Sequence, residues 1–442
     1  MSRFETSPRL GSSFYHYGAS GLPIATVSGG FLLLVHAADI HLDSPLRGLS
    51  RIGEDHARDL RRSTRRALAN LVDLVLERRA DLLVIAGDLY DGSWHDFGTG
   101  QFFIEQMVKL HDKGIPVVIA SGNHDAASQI TRSLTLPPGV HMLATDKPES
   151  IRFDDLGAVV HGQGYAVREV RDNLAAEYPD RVPDLINIGV LHTAGAGPSD
   201  HMPYAPCSVA DLEALRYNYM ALGHIHQRGP VADGDFPAYF SGNLQGRNPR
   251  ETGRKGALLV ELKAGSRAKI DFEPVDVARW GRIDVDATGM TDYDDLAASF
   301  RDRMRAEVAD AEGRAVILRV NITGTSAIAG RLADDERLHA DMESLALQSG
   351  AVLDKVQVHV RPPAPPDPEA QRIRDAVNEA ADALAADPAS ITATMQALDR
   401  SIRDIARGTD GYLLDLSDPE VVRELLGRAR DGLEAQLAER QG

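Results

Sequence analysis

Five short polar clusters follow five β-like apolar runs in the first half of the chain, and this pattern constrains the fold more than any other feature of the sequence. The clusters are Asp39-Ile-His41, Gly87-Asp-Leu-Tyr-Asp91, Gly122-Asn-His-Asp125, Leu191-His-Thr193 and Gly223-His-Ile-His226. Apolar runs that alternate with helical patterns predict the core strands of an α/β domain. Because the carboxyl ends of neighbouring strands meet in one crevice, we expect the five clusters to meet there.

The side chains of these clusters are ligands that divalent metal ions prefer. Asp, Asn and His suit Mn²⁺, Fe²⁺ or Zn²⁺, and a chain with one cysteine is a poor candidate for a thiolate site. Asp-x-His and His-x-His place two ligands on the same side of an extended segment. A glycine precedes three of the clusters and is expected to allow a tight turn after a strand.

The order of the clusters also predicts a reaction. Two ions in one site need a bridging ligand, and the carboxylate of Asp88 is the candidate. Water bridged by both ions becomes hydroxide near neutral pH, so in-line attack on the phosphorus of an ester is expected. His124 follows Asn123 directly, and we expect it to face the substrate and protonate the leaving oxygen. Asp91 is expected to accept the other N–H of His124 and fix its tautomer.

Each cluster alone has a simpler interpretation. Asp-x-His and His-x-His usually occur on a surface or in a core without binding a metal, and Gly-Asp-x-x-Asp mostly forms a turn. Gly-Asn-His-Asp after an apolar strand is rarer. All five clusters in one order, each after a strand, favour a functional site over coincidence.

The five clusters resemble the signature of the calcineurin-like metallophosphoesterase superfamily, over about residues 31–262. This resemblance implies a four-layer α/β/β/α sandwich with two divalent metal ions, Mn²⁺ above all. It also implies one ion held by Asp39, His41, Asp88 and His226, and a second held by Asp88, Asn123, His192 and His224. His124 and Asp91 match the catalytic histidine of the family and its orienting acid.

Within the superfamily, the chain is similar to the SbcD/YhaO type of DNA repair exonuclease. Residues 39–45, 87–92, 204–208, 221–226 and 241–248, with Glu251-Thr252, carry this similarity. It implies a Mn²⁺-dependent exonuclease that acts on DNA, with an ATPase of the SMC-like coiled-coil class as its partner. A homodimer is also compatible with it.

Two other functions remain open at this stage. A phosphatase or phosphodiesterase for small-molecule or protein phosphate esters would use the same metal core. A scaffold that binds DNA ends or an ATPase, with structural metals only, is disfavoured by the complete ligand set and by His124.

The net charge of −17 gives the chain no general attraction to nucleic acid or to an anionic membrane. A phosphate must therefore be held locally, and Arg247, in the loop after the apolar run at 238–240, is the expected substrate-binding residue. Five arginines early in the first predicted helix are better explained as a solvated face than as a duplex contact, because acids are interspersed. They are Arg58, Arg61, Arg62, Arg65 and Arg66. For Trp94 and Phe97, packing is favoured over shaping of the substrate mouth.

The chain divides into four predicted parts. Residues 1–30 are expected to be a disordered extension, and residues 31–275 a metallophosphoesterase (nuclease) domain. Residues 276–362 show the order strand, helix, strand, helix, strand and are expected to form a small α+β capping domain. Residues 363–442 begin with a Pro-rich linker and continue as a helical C-terminal segment.

The sequence also predicts a location. No apolar run reaches the length of about 18 residues that a membrane span needs, so no membrane contact is expected. The single cysteine, Cys207, excludes an intramolecular disulfide and fits a reducing cytoplasm.

Overall fold

The computed structural model describes most of the chain: residues 31–44, 60, 62–91, 97–127, 135–195, 204–332, 335–363, 368–387, 389–393, 396–397, 423, 425 and 427–432. The predictions for residues 1–30, for Arg58 and Arg61, for Trp94 and for most of the last predicted helix lie outside these residues.

Fifteen strands and seven α-helices are named within the described residues. The strands are β1 (Leu32–Ala37), β2 (Leu82–Ala86), β3 (Val117–Ala120), β4 (Val140–Met142), β5 (Glu149–Phe153), β6 (Ala158–Gln163), β7 (Ile186–His192), β8 (Tyr219–Gly223), β9 (Gly229–Ala232), β10 (Ala238–Phe240), β11 (Gly256–Leu262), β12 (Lys269–Pro274), β13 (Ala278–Asp286), β14 (Ala315–Thr325) and β15 (Ala351–Arg361). The helices are α1 (Ser63–Arg78), α2 (Phe97–His111), α3 (Val209–Ala214), α4 (Tyr293–Asp310), α5 (Ala329–Leu332), α6 (Asp335–Gln348) and α7 (Pro368–Ala386).

Two six-stranded sheets form a sandwich. The first has the order β12-β11-β1-β2-β3-β4 and the second the order β5-β6-β7-β8-β10-β9. The central strands of each sheet are parallel, whereas β11, β12, β5 and β9 pair antiparallel with their neighbours. The inner faces share one apolar core, in which Leu34 and Val84 of the first sheet lie with Val160 and Ile188 of the second.

Helices cover the outer faces of this sandwich. The buried stripe of α1 follows helical spacing through Leu68, Leu71 and Val75, and it packs with α2 on the first sheet. Helix α1 ends at Arg79, whose left-handed backbone (φ 53°) lets its N–H reach the carbonyl groups of the last turn. Short helical segments, including α3, cover the second sheet. The predicted four-layer α/β/β/α arrangement is thereby confirmed.

A third sheet follows, with the order β13-β14-β15. The predicted order strand, helix, strand, helix, strand is confirmed, with α4 and α6 packed against the sheet. All three strands are parallel, so each crossover passes through a helix and the unit has α/β topology where α+β was predicted.

The loop between β10 and β11 joins the third sheet to the sandwich. The side chain of Gln245 donates to the carbonyl oxygen of Ala278 (2.6 Å) and accepts from the N–H of Val277 (3.0 Å). The indole N–H of buried Trp280 donates to the carbonyl oxygen of Gly246 (3.2 Å). The position of this loop therefore depends on the third sheet as well as on the sandwich.

Among the described residues, every helix is too short or too polar to cross a bilayer. Helix α7 is tied back to the end of the third sheet, because the Arg374 guanidinium donates to the carbonyl oxygens of Pro362 (2.9 Å) and Pro363 (3.2 Å).

Candidate metal centre

The five polar clusters lie where β1, β2, β3, β7 and β8 end, so both sheets contribute to one crevice. Asp39 and His41 follow β1, Asp88 follows β2, and Asn123 follows β3. The second sheet supplies the histidines: His192 is the last residue of β7, and His224 and His226 follow β8. The structure thus brings all seven sequence-predicted ligands together.

One group of ligands consists of Asp39, His41 and His226, whose candidate ligand atoms all lie within 4.8 Å of one another. The Nε2 atoms of His41 and His226 face each other at 3.2 Å. Nδ1 of His226 donates to Glu251 Oε1 (2.9 Å), so the lone pair of Nε2 is turned into the crevice. Burial lowers the pKa of His41 to about 3, with Arg247 adding to the effect, and keeps that imidazole neutral.

A second group consists of Asp88, His192 and His224, again with ligand atoms within 4.8 Å. The amide oxygen of Asn123 joins them, at 3.0 Å from His192 Nε2 and 3.2 Å from His224 Nδ1. His192 Nδ1 donates to the carbonyl oxygen of Ala86 (3.0 Å), which fixes the ring with Nε2 toward the group.

Asp88 lies between the two groups. Its Oδ2 is 3.4 Å from His192 Nε2 in the second group and 3.7 Å from His41 Nε2 in the first. Burial alone would raise the pKa of Asp88, but His192 and His41 together hold that pKa well below its usual range. In turn, the carboxylates of Asp88 and Asp39 raise the pKa of His192 to about 9 despite its burial. An ionised carboxylate between two sets of nitrogen ligands is the arrangement that a bridging ligand requires.

The donor set fits divalent metal ions. It contains imidazole nitrogens, carboxylate oxygens and one amide oxygen, with no thiolate, which suits Mn²⁺, Fe²⁺ or Zn²⁺. Nε2 of His226 carries a lone pair because Nδ1 of that ring donates to Glu251, and Nε2 of His41 lies 3.2 Å from it, so both nitrogens can coordinate one cation.

His124 and Asp91 form a pair at the edge of these groups. Nδ1 of His124 donates to Asp91 Oδ1 (2.8 Å), so Nε2 is the nitrogen left for a ligand or substrate. Burial lowers the pKa of His124, but the hydrogen bond to Asp91 and the charge of Asp88 outweigh it and leave the pKa raised. The pair can therefore hold a proton at His124 Nε2.

The backbone at the first and second clusters is left-handed. Asp39, His41 and Asp88 have φ angles of 51°, 44° and 52°. Hydrogen bonds between the two loops hold this conformation, from Asp39 N to Gly87 O (3.0 Å) and from His41 N to Asp88 O (3.0 Å). The prediction that Asp39 and His41 project from extended backbone was therefore wrong, because β1 ends at Ala37 and a strained loop aims both side chains.

The glycines before the ligands are needed mainly for space. Gly87 has a positive φ of 94°, as a tight turn requires. At Gly122 a Cβ would overlap the Asp88 carboxylate, and at Gly223 it would overlap the carbonyl oxygen of Ala86. The second of these contacts joins β8 of one sheet to β2 of the other, so the close approach of the two sheets at the crevice depends on it.

With this geometry established, comparison with known proteins identifies the domain. Residues 32–228 match the calcineurin-like phosphoesterase family. The chain carries a calcineurin-like phosphoesterase domain. Residues 280–361 match the middle domain of the metallophosphoesterase YhaO. The resemblance inferred from the motifs is thereby confirmed. The family consists of phosphoester hydrolases with a dinuclear metal site, for which the crevice holds candidate ligand groups.

Several curated proteins are similar to this chain, and three of them are described below. The uncharacterized metallophosphoesterase YhaO of Bacillus subtilis is 33% identical over 261 residues, which cover 58% of this chain and 64% of that protein. A subunit of the nuclease SbcCD from the same organism is 25% identical over 53% of this chain and 67% of its own length. The DNA double-strand break repair protein Mre11 of Methanopyrus kandleri is 26% identical over 56% of this chain and 57% of its own length. The chain thus spans between 57% and 67% of these relatives.

Arg247 reaches the edge of the crevice, as the sequence predicted. Its guanidinium donates to Ser44 Oγ (3.1 Å) and lies 3.7 Å from Asp91 Oδ2. Ser44 Oγ in turn donates to Asp91 Oδ2 (2.7 Å). Arg247 and His124 therefore share one acid, Asp91, and both lie beside the metal-ligand groups.

Glu251 is a site residue that sequence reasoning missed. It accepts from His226 Nδ1 and also from groups in its own loop. These are Asn243 Nδ2 (2.8 Å), the N–H of Arg247 (2.8 Å) and Asn248 Nδ2 (2.8 Å). Burial would raise the pKa of Glu251, but the hydrogen bond and charge of His226, together with Arg247, lower it to about 2. One carboxylate thus orients a candidate ligand and holds the Arg247 loop, and its place in the stretch 241–252 was the only sequence signal for it.

Asp125 was also missed, although it ends the Gly-Asn-His-Asp motif. Its buried carboxylate accepts three backbone N–H groups: those of Leu89 (3.1 Å), Tyr90 (2.9 Å) and Gly122 (3.0 Å). Burial, with the charge of Asp88, raises its pKa to about 6. Asp125 thereby ties the loop that carries Asp88 to the loop that carries Asn123.

The sequence predicts a solvated face for the arginines at the start of the first helix. Arg65 donates to both carboxylate oxygens of Asp43, at 2.7 Å and 2.5 Å, so its charge is already paired. Arg62 and Arg66 are exposed, in agreement with a solvated face, whereas Arg65 is half-buried and lies over the ring of Phe102. For Phe97 and Trp94, the side chains lie outside the described part of the chain.

Proposed function

We propose that this protein is a binuclear-metal phosphodiesterase that acts on DNA as a Mn²⁺-dependent exonuclease in DNA repair. The observation that carries the proposal is the single crevice in which two ligand groups, the intervening carboxylate of Asp88 and the His124–Asp91 pair meet. The names of two relatives, a nuclease subunit and a DNA double-strand break repair protein, support DNA as the substrate.

In this proposal one ion is held by Asp39, His41, Asp88 and His226, and the other by Asp88, Asn123, His192 and His224. Two divalent ions, when bound, supply a nucleophile at neutral pH and offset the charge of a phosphate. The side chains of the crevice orient the ester. Arg247, pointed by Ser44 and Asp91, can fork onto a phosphate oxygen.

His124 supplies the proton in the proposed mechanism. Asp91 holds Nδ1–H of the ring, so the proton that leaves is the one on Nε2. The raised pKa of His124 keeps this proton in place until the ester bond breaks and the leaving oxygen accepts it. Asp91 then stabilises the ring in the tautomer that can be protonated again from solvent.

The proposal is tested with linear, end-labelled duplex DNA and increasing Mn²⁺, alongside bis(4-nitrophenyl) phosphate. We expect progressive loss of nucleotides from the ends of the duplex, dependent on Mn²⁺ and stopped by EDTA. A chain that hydrolyses the small ester but leaves DNA intact would instead be a phosphodiesterase for small or protein-borne esters, which the net charge of −17 favours.

Replacing Glu251 with Gln is expected to weaken metal binding about 10- to 100-fold. The amide keeps the shape of the side chain but loses the charge that fixes His226 with Nε2 toward the crevice. Mn²⁺ binding is measured by calorimetry on the metal-free protein. Glu261→Gln is the control, because that exposed glutamate lies on β11 and pairs with Lys269. Equal Mn²⁺ affinity in the two variants would rule out the orienting role.

We further propose that residues 276–362 cap the nuclease domain and that residues 363–442 bind an ATPase of the SMC-like class. One relative is named as a subunit, and Ile373 and Leu384 of α7 expose apolar side chains (46% and 43%). The lone Cys207 supports a reducing, cytoplasmic setting. Deletion of residues 363–442 is expected to abolish co-purification with such an ATPase while Mn²⁺-dependent ester hydrolysis persists; undiminished co-purification would refute this partner.

A further inference from the structure

A small cationic cleft lies beside His226. The cleft is lined by the basic side chains of Arg228, Arg254 and Lys255, together with Phe272 and Gly242. His226 lines the cleft and is also a candidate ligand of the proposed metal site, so the two adjoin at this residue.

The cations are held in place by neighbouring groups. Lys255 is buried (6% exposed), and its ammonium group donates to the carbonyl oxygen of His226 (3.2 Å). The Arg228 guanidinium stacks on the ring of Phe272, 3.6 Å from its centroid. Stacking of this kind fixes the plane of the guanidinium and leaves its N–H groups directed along its edge.

The carboxylates that reach these cations among the described residues are shared with further arginines. Arg254 pairs with Glu312 (2.5 Å), but Glu312 also pairs with Arg279 (3.0 Å) and Arg314 (3.2 Å). Asp276, whose charge acts on Lys255, also pairs with Arg279 and Arg314. Each of these two carboxylates therefore neutralises the cleft only in part.

Arg228, Arg254 and Lys255 line the same small cleft, so their positive charges lie close together. In a chain with a net charge of −17, a site where cations repel one another is unusual, and an anion is the ligand that relieves the repulsion.

We propose that Arg228, Arg254 and Lys255 form an anion subsite for a phosphate group of the substrate that adjoins the ester at the metal centre. This inference rests on the proposed function and narrows its substrate class. A substrate that uses both sites carries at least two phosphates, as a nucleic acid strand does and a simple phosphate ester does not.

The chemistry of the three side chains suits this ligand. The edge of a stacked guanidinium can donate two parallel hydrogen bonds to phosphate oxygens, and the Lys255 ammonium adds a point charge. Arg228 and His226 line the same cleft, so a phosphate bound to Arg228 would lie beside a candidate metal ligand. The subsite would therefore position the strand and contribute to its binding more than to the chemical step.

The test compares Arg228→Gln with wild type and with Arg216→Gln. Arg216 is a matched control, because its guanidinium also lies over a phenylalanine ring, that of Phe236 (5.5 Å), outside the cleft. The substrates are a short oligodeoxynucleotide and bis(4-nitrophenyl) phosphate. We expect Arg228→Gln to lower kcat/KM for the oligonucleotide relative to the small ester about tenfold, through KM. The slope of log KM against log salt concentration is expected to fall by about 0.7. Arg228→Lys keeps the positive charge but cannot donate two parallel hydrogen bonds. It should restore the dependence of KM on salt concentration but only part of the affinity for the oligonucleotide.

A binding measurement separates this inference from the proposed function. Thymidine 3′,5′-bisphosphate and thymidine 5′-monophosphate are titrated into the Mn²⁺-loaded proteins by calorimetry, which requires no turnover. The bisphosphate is expected to bind wild type and Arg216→Gln about tenfold more tightly than the monophosphate, and this advantage should disappear in Arg228→Gln. An equal advantage in all three proteins would overturn the subsite. Hydrolysis of the small ester without cleavage of DNA would overturn the proposed function instead.

Discussion

Replacing Asp88 with Asn is expected to reduce hydrolysis of every phosphate ester about 10³-fold and to lower the bound metal from two ions per chain to one or fewer. Asp88 stands between both candidate groups, 3.4 Å from His192 and 3.7 Å from His41, so its loss affects both ions at once. Asparagine keeps the volume and an acceptor for the backbone N–H of His124, which now binds Asp88 Oδ1 at 2.9 Å. The folded structure should therefore persist.

Metal content by mass spectrometry of the purified protein and initial rates with bis(4-nitrophenyl) phosphate check this result. Asp73→Asn is the control, because Asp73 is exposed on α1 and outside the crevice. Asp88→Asn protein that retains two ions and more than a tenth of the wild-type rate would show that Asp88 does not bridge them.

Replacing His124 with Gln is expected to lower kcat about 10²- to 10⁴-fold for a dinucleotide, without loss of metal. Cleavage of the P–O bond of a dinucleotide expels a basic nucleoside alkoxide that needs a proton, and His124 Nε2 is the nitrogen left to give one when Nδ1 is held by Asp91. With bis(4-nitrophenyl) phosphate the leaving group is stable as an anion, so the loss should be much smaller. Asp91→Asn should show the same dependence on the leaving group in milder form, because it removes the partner that keeps the ring protonated.

The comparison of the two substrates, with metal content measured in parallel, distinguishes proton donation from metal binding. Equal losses for both leaving groups would mean that His124 stabilises the ester or the metal site and donates no proton. Loss of an ion from the His124→Gln protein would point the same way.

The strands and helices with strong patterns were predictable from the sequence. The apolar run of β2 and the apolar stripe of α1 both pack into the core. The local sequence pattern alone therefore predicts the secondary structure that is observed. Strands without such a pattern were missed. β4 has only three residues, and the edge strand β5 alternates charged and apolar residues with no fully buried position.

The membership of the site was predictable, but the means by which its side chains are held was not. Asp39 and His41 are aimed by left-handed backbone, which depends on hydrogen bonds to the Asp88 loop far along the chain. Glu251 and Asp125 act on neighbours that only the fold brings close, so spacing in the sequence carries no sign of them. The glycines at positions 122 and 223 could be read as turn signals. The structure requires them for a different reason, because a Cβ atom at either position would overlap a neighbouring group.

The division of the crevice between two sheets has a consequence for how this protein assembles. The first sheet supplies Asp39, His41, Asp88 and Asn123, whereas the three remaining candidate ligands come from the second. In the proposed ligand sets each ion takes ligands from both sheets, so the free energy of metal binding would stabilise the contact between the two halves of the sandwich. Bound metal would then have two roles, one in hydrolysis and one in stabilising the contact between the two sheets.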